Sequence, residues 1–251
     1  MRYSKEKKFD SDIESLIKGK NVSSKFRWYP TSLYSYELDL SHGIFESLNS
    51  TIRKNIAYSL QYLDFLELQL QELILSDVLY VMTYKNYIIT AASIIESVFY
   101  HILFYHNKLK YNYFEKPTLV DTKTETINGQ TIVHVKGTKV KLENPKLAVQ
   151  DFHFLIIEVL KGKFLDITDN KRAKKFISHC KELRKRVHLH LTNNPYSSDY
   201  HKFNHKDYAL MRFVLFRILS DTLFGKDKQK IFPKEKENSV QMIIKYRYIY
   251  D

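Results

Sequence analysis

The stretch YIITAASIIESVFYHILF, residues 87–104, is apolar on nearly all sides of a helix, and it decides the fold. A helix that is hydrophobic all round is buried among other elements, so we expect this one at the centre of the protein. Glu96 and His101 interrupt the run, which is shorter than the roughly 20 residues that a membrane span needs. The sequence therefore predicts a buried core helix and no contact with a membrane.

The segments on both sides of this run carry the apolar periodicity of amphipathic helices. Before it, apolar residues recur at three- and four-residue steps from Ile44 to Gln71, and a second run, Leu73–Tyr84, is either continuous with the first or separated by a kink. After it, the pattern predicts helices over Leu147–Leu160, Asn170–Leu189 and Lys206–Phe224. The low numbers of glycine (6) and proline (5) also favour long helices.

A β-hairpin is predicted between the central helix and the later ones. Residues 124–135 are rich in β-branched side chains, and Asn128-Gly129 stands where a two-residue type I′ turn belongs. Residues 136–142 can add a third strand. Such an insertion either contacts a partner protein or a second copy of this chain, or is a surface insertion without a binding role.

These elements predict an all-α protein, a helical bundle with an inserted β-hairpin at about residues 118–143 and an N-terminal helical extension. The extension comprises residues 1–40 and carries one short helix near Asp12–Lys18. The helical domain covers residues 41–225, and residues 226–251 form a C-terminal tail.

Charge and cysteine content limit the partners and the compartment. The formal charge of +12 favours a polyanion, nucleic acid before membrane. The single Cys180 excludes an internal disulfide framework and a cysteine-based zinc site, and its spacing with apolar neighbours predicts a buried thiol. Because the N-terminus is charged and no apolar segment follows it, we expect no signal peptide and a cytoplasmic protein.

Positive charge is concentrated in residues 161–186, where ten Lys or Arg residues stand against three Asp or Glu. This density is what contact with a phosphate backbone requires, although a solvated helix face has the same composition. The residues that we predict to bind RNA are Lys171, Arg172, Lys174, Lys175 and Lys181.

The run ELRKRVHLHLTN, residues 182–193, is the candidate site for chemistry. A histidine that titrates near neutrality can transfer a proton, and a guanidinium can hold a phosphate. On an unbroken helix Arg184 and His188 lie within about 40° of each other, whereas His190 lies about 120° from Arg184. His190 can therefore join Arg184 only if the helix ends before it or if a second subunit supplies one of the two groups.

Glu96 is a carboxylate within the apolar run, and a buried carboxylate needs a cationic or hydrogen-bonding partner. The basic cluster around Arg184 is one source of that partner. The alternative is that Glu96 lies at the edge of its helix and meets water.

The order of elements and the run Arg184–His190 resemble the HEPN superfamily (higher eukaryotes and prokaryotes nucleotide-binding). Its members are compact helical bundles that carry Ala-Ala-x-x-x-Glu on an early helix, as residues 91–96 do here. Near the end of a later helix they carry an Arg followed four to six residues on by a His, as Arg184 and His190 are. The likeness covers about Tyr84 to Phe224. Lys185 departs from the Asn, Asp or His that many members have after this Arg.

The resemblance implies a HEPN-like bundle and a metal-independent endoribonuclease that acts as a homodimer, with a site formed by both protomers at a two-fold axis. His190 would be the general acid or base, Arg184 would bind the scissile phosphate, and the products would be a 2′,3′-cyclic phosphate and a 5′-hydroxyl. The supporting residues would be Lys185, Arg186, His188, Glu96 and Asn193. His188 is either such a supporting residue or the working histidine in place of His190.

The biological role implied by this resemblance is that of a toxin or anti-phage defence effector, with RNA as substrate and an antitoxin or defence-system protein as a partner. We expect no cofactor and no metal. The first alternative is a non-catalytic HEPN-like module that binds RNA, a nucleotide or a partner protein. The second is an unrelated helical interaction protein in which the histidines are incidental.

Overall fold

The computed structural model describes residues 29–115, 118–128, 130–138, 140–169, 171–186 and 198–224. Within these ranges the protein is mainly helical, which confirms the predicted class. The α-helices are α1 (Leu33–Asp39), α2 (Ser50–Glu72), α3 (Asp77–Tyr105), α4 (Phe152–Gly162), α5 (Lys171–Lys185), α6 (Asp199–Lys202) and α7 (His205–Leu219). Short 3-10 turns cover Gly43–Ser47, Asp166–Asp169 and Thr222–Phe224.

Helix α3 lies at the centre of the bundle, as the sequence predicts. It contacts α2, α4, α5, α6 and α7. Many of its side chains are buried, and Ile88, Ala91, Ile95, Phe99 and Ile102 are fully withdrawn from solvent. Because its neighbours surround it, the apolar surface that would be unfavourable in water is removed from water on several sides.

The extent of α3 differs from the prediction, because the run Leu73–Tyr84 largely belongs to it. The chain leaves helical geometry at residues 73–76, and a single helix then continues from Asp77 to Tyr105. This helix of 29 residues has a mean hydropathy of 1.6 over an 18-residue window, which is the length and composition of a membrane span. The expectation that this helix is too short to cross a membrane was therefore wrong. However, 61% of that window is buried inside the protein, which is consistent with the core helix of a soluble protein.

Side-chain caps explain where two predicted helices begin. Helix α2 begins at Ser50 and not at Ile44, because Asn49 Oδ1 accepts a hydrogen bond from the Thr51 amide at 2.8 Å. Helix α4 begins at Phe152 and not at Leu147, because Asp151 Oδ1 accepts from the Phe154 amide at 3.0 Å. This amide hydrogen bond holds the pKa of Asp151 below its usual value.

The C-terminal part of the predicted bundle is also divided differently. The helix predicted over Lys206–Phe224 ends at Leu219 as α7, and a 3-10 turn follows it. Helix α1 is not predicted by the sequence, yet Tyr36 and the adjoining Leu40 are buried in the same core. The helix predicted near Asp12–Lys18 and the tail 226–251 lie outside the described residues.

An antiparallel β-ribbon lies between α3 and α4, and it consists of two two-stranded sheets. In one sheet β1 (Tyr111–Phe114) pairs with β4 (Lys141–Leu147), and in the other β2 (Thr118–Ile127) pairs with β3 (Gln130–Thr138). The predicted hairpin is confirmed, because Ile127 pairs with Gln130 across a two-residue turn and Asn128 has a φ of 51°. The predicted third strand was wrong: β4 pairs with β1 and not with the hairpin, so the ribbon covers residues 111–147. Four-residue β1 is too short for a periodicity signal.

A buried polar network fixes α2 and α7 against α3. The Arg212 guanidinium on α7 donates to both carboxylate oxygens of Glu67 on α2, at 2.9 and 3.2 Å. The Tyr87 hydroxyl on α3 donates to the same carboxylate at 3.1 Å. Burial, followed by the nearby Glu67 charge, raises the pKa of Tyr87 well above its usual value, so this phenol remains a hydrogen-bond donor.

Gly43 is the point at which the C-terminal 3-10 turn packs against the N-terminal one. Its φ is +60°, and a Cβ built there would lie 2.5 Å from the backbone carbonyl carbon of Phe224. The Phe224 ring stacks on Phe45 with the ring centroids 4.4 Å apart. A side chain at position 43 would therefore strain the backbone and also separate the two turns.

We expect Gly43→Ala to lower the free energy of unfolding by at least about 2 kcal/mol, from the left-handed backbone together with overpacking. Urea denaturation followed by circular dichroism measures this loss. Glu46→Ala, at an exposed position of the same 3-10 turn, is the control and should change stability by less than about 0.5 kcal/mol. Equal effects of the two substitutions would contradict the packing argument.

Candidate nucleic-acid site at the end of α5

The amphipathic pattern of α5 presents its last turn at the surface of the bundle. The apolar periodicity predicted over Asn170–Leu189 is confirmed as a buried stripe of α5 at Phe176, Ile177, Cys180 and Leu183. The Cys180 Sγ lies 4.0 Å from the Met211 sulfur, and burial raises the pKa of this thiol, as is typical of a core cysteine.

Helix α5 ends at Lys185, before the histidines of the motif. The Arg186 amide donates to the Leu183 carbonyl at 3.1 Å, which is the tightened hydrogen bond of a final turn. The helical angle of about 120° between Arg184 and His190 therefore does not apply. One of the two conditions under which His190 can join Arg184, namely that the helix ends before it, is met.

Arg184 forms an ion pair with Glu96, and this pair joins α5 to the central helix. Its Nη2 lies 2.5 Å from Glu96 Oε2. The guanidinium also lies over the ring of Phe152 on α4, 5.6 Å from the ring centroid, as in a cation–π contact. Three helices thus hold the Arg184 side chain at one place. The interpretation that the cluster around Arg184 supplies the partner of Glu96 is confirmed.

The pair is only partly withdrawn from water. The side chain of Arg184 is 39% exposed and that of Glu96 is 23% exposed. Burial raises the pKa of Glu96, and the Arg184 charge lowers it in part. The guanidinium therefore retains an open face toward solvent, where an anion can approach it.

Lysines beside Arg184 form a positive flank on α5. Relative to Arg184, helical geometry places Lys181 at about 60°, Lys174 at about 80° and Lys185 at about 100°, all on the same side. The Nζ atoms of Lys181 and Lys185 lie 3.8 and 3.3 Å, respectively, from Glu182 Oε1. Since such surface pairs contribute little energy, these lysines can exchange a carboxylate for a phosphate.

The remaining predicted site residues fall into two groups. Lys171 and Lys175 are exposed on α5, but Lys175 is about 180° from Arg184 and so faces away from the flank. Arg186 is half-buried at the end of the helix. The predicted residues outside the described part of the chain are His188, His190 and Asn193, together with the side chain of Arg172.

Two contributors to this region are not predicted from the sequence. Phe152 supplies the ring under Arg184, and Lys85 forms an ion pair with Asp199 in which Nζ and Oδ2 are 2.6 Å apart. The second contact fixes α6, where the described chain resumes after the motif, onto α3. A lysine with apolar neighbours on a core helix is the signal that indicates such a partner, but it does not name Asp199.

Within the described ranges, no group of three or more His, Cys, Asp or Glu side chains is arranged to hold a metal ion. No family model, no curated protein and no solved structure matches this chain.

We expect Arg184→Ala to raise the pKa of Glu96 further, because the half-buried carboxylate would lose the cation that favours its charged form. Carbon-13 NMR of the Glu96 carboxyl, titrated between pH 3 and pH 8, measures the shift. Lys185→Ala on the neighbouring position is the control and should leave this pKa almost unchanged, since Lys185 is near Glu182 instead. An unchanged Glu96 titration in Arg184→Ala would contradict the ion pair.

Proposed function

We propose that this protein is a metal-independent endoribonuclease with a HEPN-like bundle. The observation that carries the proposal is the placement of Arg184 at the end of α5, held by Glu96 and Phe152 but open to solvent on one side. The motif histidines follow this helix end directly in the sequence. An oriented guanidinium and a histidine pair are together a sufficient set of groups for cleaving RNA by acid–base chemistry.

The roles of the groups follow from the chemistry of the reaction. The 2′-hydroxyl of RNA attacks the adjacent phosphorus, the 5′-oxygen leaves, and the products are a 2′,3′-cyclic phosphate and a 5′-hydroxyl. Arg184 binds the non-bridging oxygens and stabilises the charge that develops on them. His190, or His188 in its place, transfers the proton. Glu96 orients the guanidinium, and the lysine flank holds neighbouring phosphates.

The proposal includes a homodimer, in which motifs of both protomers complete the site, and a cytoplasmic toxin or anti-phage defence role with a protein that restrains it. These parts rest on the resemblance to HEPN proteins. The alternative is a non-catalytic HEPN-like module that binds RNA, a nucleotide or a partner protein. One observation favours it: the Arg184 guanidinium is already paired with a carboxylate, and a phosphate must compete with or share that pairing.

Incubation of purified protein with a labelled RNA in EDTA tests the activity. We expect the wild type to cut the RNA and both Arg184→Ala and His190→Ala to reduce the rate by at least about 100-fold, since each removes one group needed in the transition state. Arg217→Ala, which removes an exposed arginine of α7, is the matched control and should cut at the wild-type rate.

Each other outcome of this experiment assigns a different role. Activity that disappears in EDTA and returns with a divalent ion would contradict the metal-independent reaction. If the wild type binds the RNA without cutting it and Arg184→Ala weakens binding, the non-catalytic module is the correct account. Equal cleavage by wild type, Arg184→Ala and His190→Ala would exclude this site.

If the lysine flank binds RNA, the salt dependence of RNA binding should fall when lysines on that side of α5 are replaced, but not when a lysine on the opposite side is replaced. Lys174→Gln combined with Lys181→Gln should weaken binding and lower the slope of log K against log salt by about 1 to 2, because each lost phosphate contact releases one counterion fewer. Lys175→Gln, on the opposite side of the same helix, is the matched control with little change expected. Fluorescence anisotropy at several salt concentrations measures both slopes, and a larger effect of Lys175→Gln would contradict the proposed face.

A further inference from the structure

The corner between α6 and α7 carries a second set of exposed side chains with the chemistry of a nucleic-acid contact. Tyr200, His201 and Lys202 on α6, and His205 and Lys206 in the first turn of α7, are all exposed. Aromatic rings alternating with cations are the composition of surfaces on which unpaired bases stack while lysines follow the backbone. We call these five residues the α6–α7 corner.

The α6–α7 corner is fixed to the core by contacts with Lys85 of α3. Asp199, at the start of α6, pairs with the buried Lys85 of α3. Phe203, directly after α6, is 1% exposed and lies beneath the Lys85 ammonium, which is 6.0 Å from its ring centroid. With both ends of this short helix held inward, the three residues between them can only face out. Exposed aromatic side chains on a fixed element lose little conformational freedom when a base stacks on them.

The rings of the corner continue into an aromatic cluster inside the protein. His205 packs edge-on against Tyr84, with ring centroids 5.9 Å apart, and Tyr84 stacks on the buried Tyr208 at 5.0 Å. Tyr208 in turn meets Tyr87 edge-on at 4.8 Å. Tyr200 is 47% exposed at the outer side. His205 is therefore the outer member of an ordered aromatic arrangement, whereas the Tyr200 ring contacts the adjacent His201 ring, with centroids 5.3 Å apart.

The charge of the corner selects a polyanion over an apolar partner. Lys202 and Lys206 flank the rings, whereas the nearest acid on α6, Asp199, is paired with Lys85. The carboxylate of Asp207 receives a hydrogen bond from the Asn204 amide group at 2.9 Å. The corner thus presents a net positive surface in a chain whose formal charge is +12.

The corner lies on the same side of α3 as the site at Arg184. Lys85, which holds α6, and Glu96, which holds Arg184, are eleven residues apart on α3. On an α-helix this separation is about 16 Å along the axis and a rotation of only about 20°. A single strand that contacts Arg184 can therefore reach the corner within the roughly 4 to 16 nucleotides that one single-strand-binding surface covers.

We propose that the α6–α7 corner is a base-stacking site for unpaired nucleotides of the same RNA strand whose phosphate Arg184 binds. The proposal rests on the proposed function for the identity of the strand. Tyr200 and His205 stack on bases, and Lys202 and Lys206 contact phosphates beside them. Double-stranded RNA cannot use the rings, because its bases are already stacked and paired. The corner is therefore a determinant of preference for single-stranded RNA.

The test is the binding of a labelled, unstructured 12-nucleotide RNA, 2′-O-methylated so that it has no attacking hydroxyl, measured by fluorescence anisotropy. The double variant Tyr200→Ala with His205→Ala should bind at least about tenfold more weakly than the wild type, since two stacking surfaces are lost. The variant with Tyr200→Phe and His205→Phe should stay within about threefold. Binding of a blunt RNA duplex should change by less than about twofold in both.

Tyr34→Ala, which removes a tyrosine that is 75% exposed on α1, is the matched control and should leave binding unchanged. Thermal unfolding of every variant establishes that the fold is intact. The proposal is overturned if the double alanine variant binds the single strand as tightly as Tyr34→Ala does. It is also overturned if affinity for the duplex falls as far as affinity for the single strand.

The two proposals fail separately. Loss of single-strand binding in the corner variant, with no RNA cleavage by the wild type, removes the nuclease and leaves the stacking site. Cleavage that depends on Arg184, with no effect of the corner variant, removes the stacking site and leaves the nuclease. A wild type that binds neither single-stranded nor duplex RNA overturns both.

Discussion

The burial of α3 is the constraint on which the rest of the structure depends. Its surface is apolar almost all round, so stability requires that other elements cover it on several sides. Helices α2, α4, α5, α6 and α7 do so, although they are far apart in the sequence. Apolar burial alone does not select one arrangement of these helices, because hydrophobic contact is not directional.

The polar side chains of α3 select one arrangement of the surrounding helices. Lys85 pairs with Asp199 of α6, Tyr87 donates to Glu67 of α2, and Glu96 pairs with Arg184 of α5. His101 Nε2 donates to the Ile44 carbonyl of the first 3-10 turn at 2.7 Å. Each group would be costly to bury without its partner, so each one favours a particular neighbour at a particular height along the helix. The same contacts that order the bundle also position the candidate site, since Arg184 is held by one of them.

This dependence has a consequence for the chemistry of Arg184. A guanidinium fixed by a carboxylate and an aromatic ring needs little reorganisation when a phosphate approaches its open face. The Glu96 carboxylate also offsets the positive charge of the Arg184 guanidinium. The affinity for RNA must therefore come in part from the lysines of α5 and from contacts elsewhere along the RNA strand. The ribbon between α3 and α4 has a different character. It presents Tyr111, Tyr113 and Phe114 to solvent, and the helical core is complete without it.

Much of the fold could be predicted from the sequence, because local patterns report local structure. The mainly helical class, the central position of residues 87–104, the buried stripe of α5 and the hairpin at Asn128 follow from periodicity, apolar content and turn chemistry. Helix ends were less predictable, since the caps at Asn49 and Asp151 compete with an apolar pattern that extends beyond them. The assignments of His188, His190 and Asn193 to the site stay predictions.

The sequence by itself determined that residues 87–104 had to be buried and that a buried Glu96 needed a polar partner. Only the tertiary structure decided who the partners are: Arg184 for Glu96, Asp199 for Lys85 and Arg212 for Glu67. The pairing of β4 with β1 was likewise decided only by the tertiary structure. The physical reason is that a side chain's need for an opposite charge is a local property, whereas the identity of that charge depends on how distant helices pack around α3.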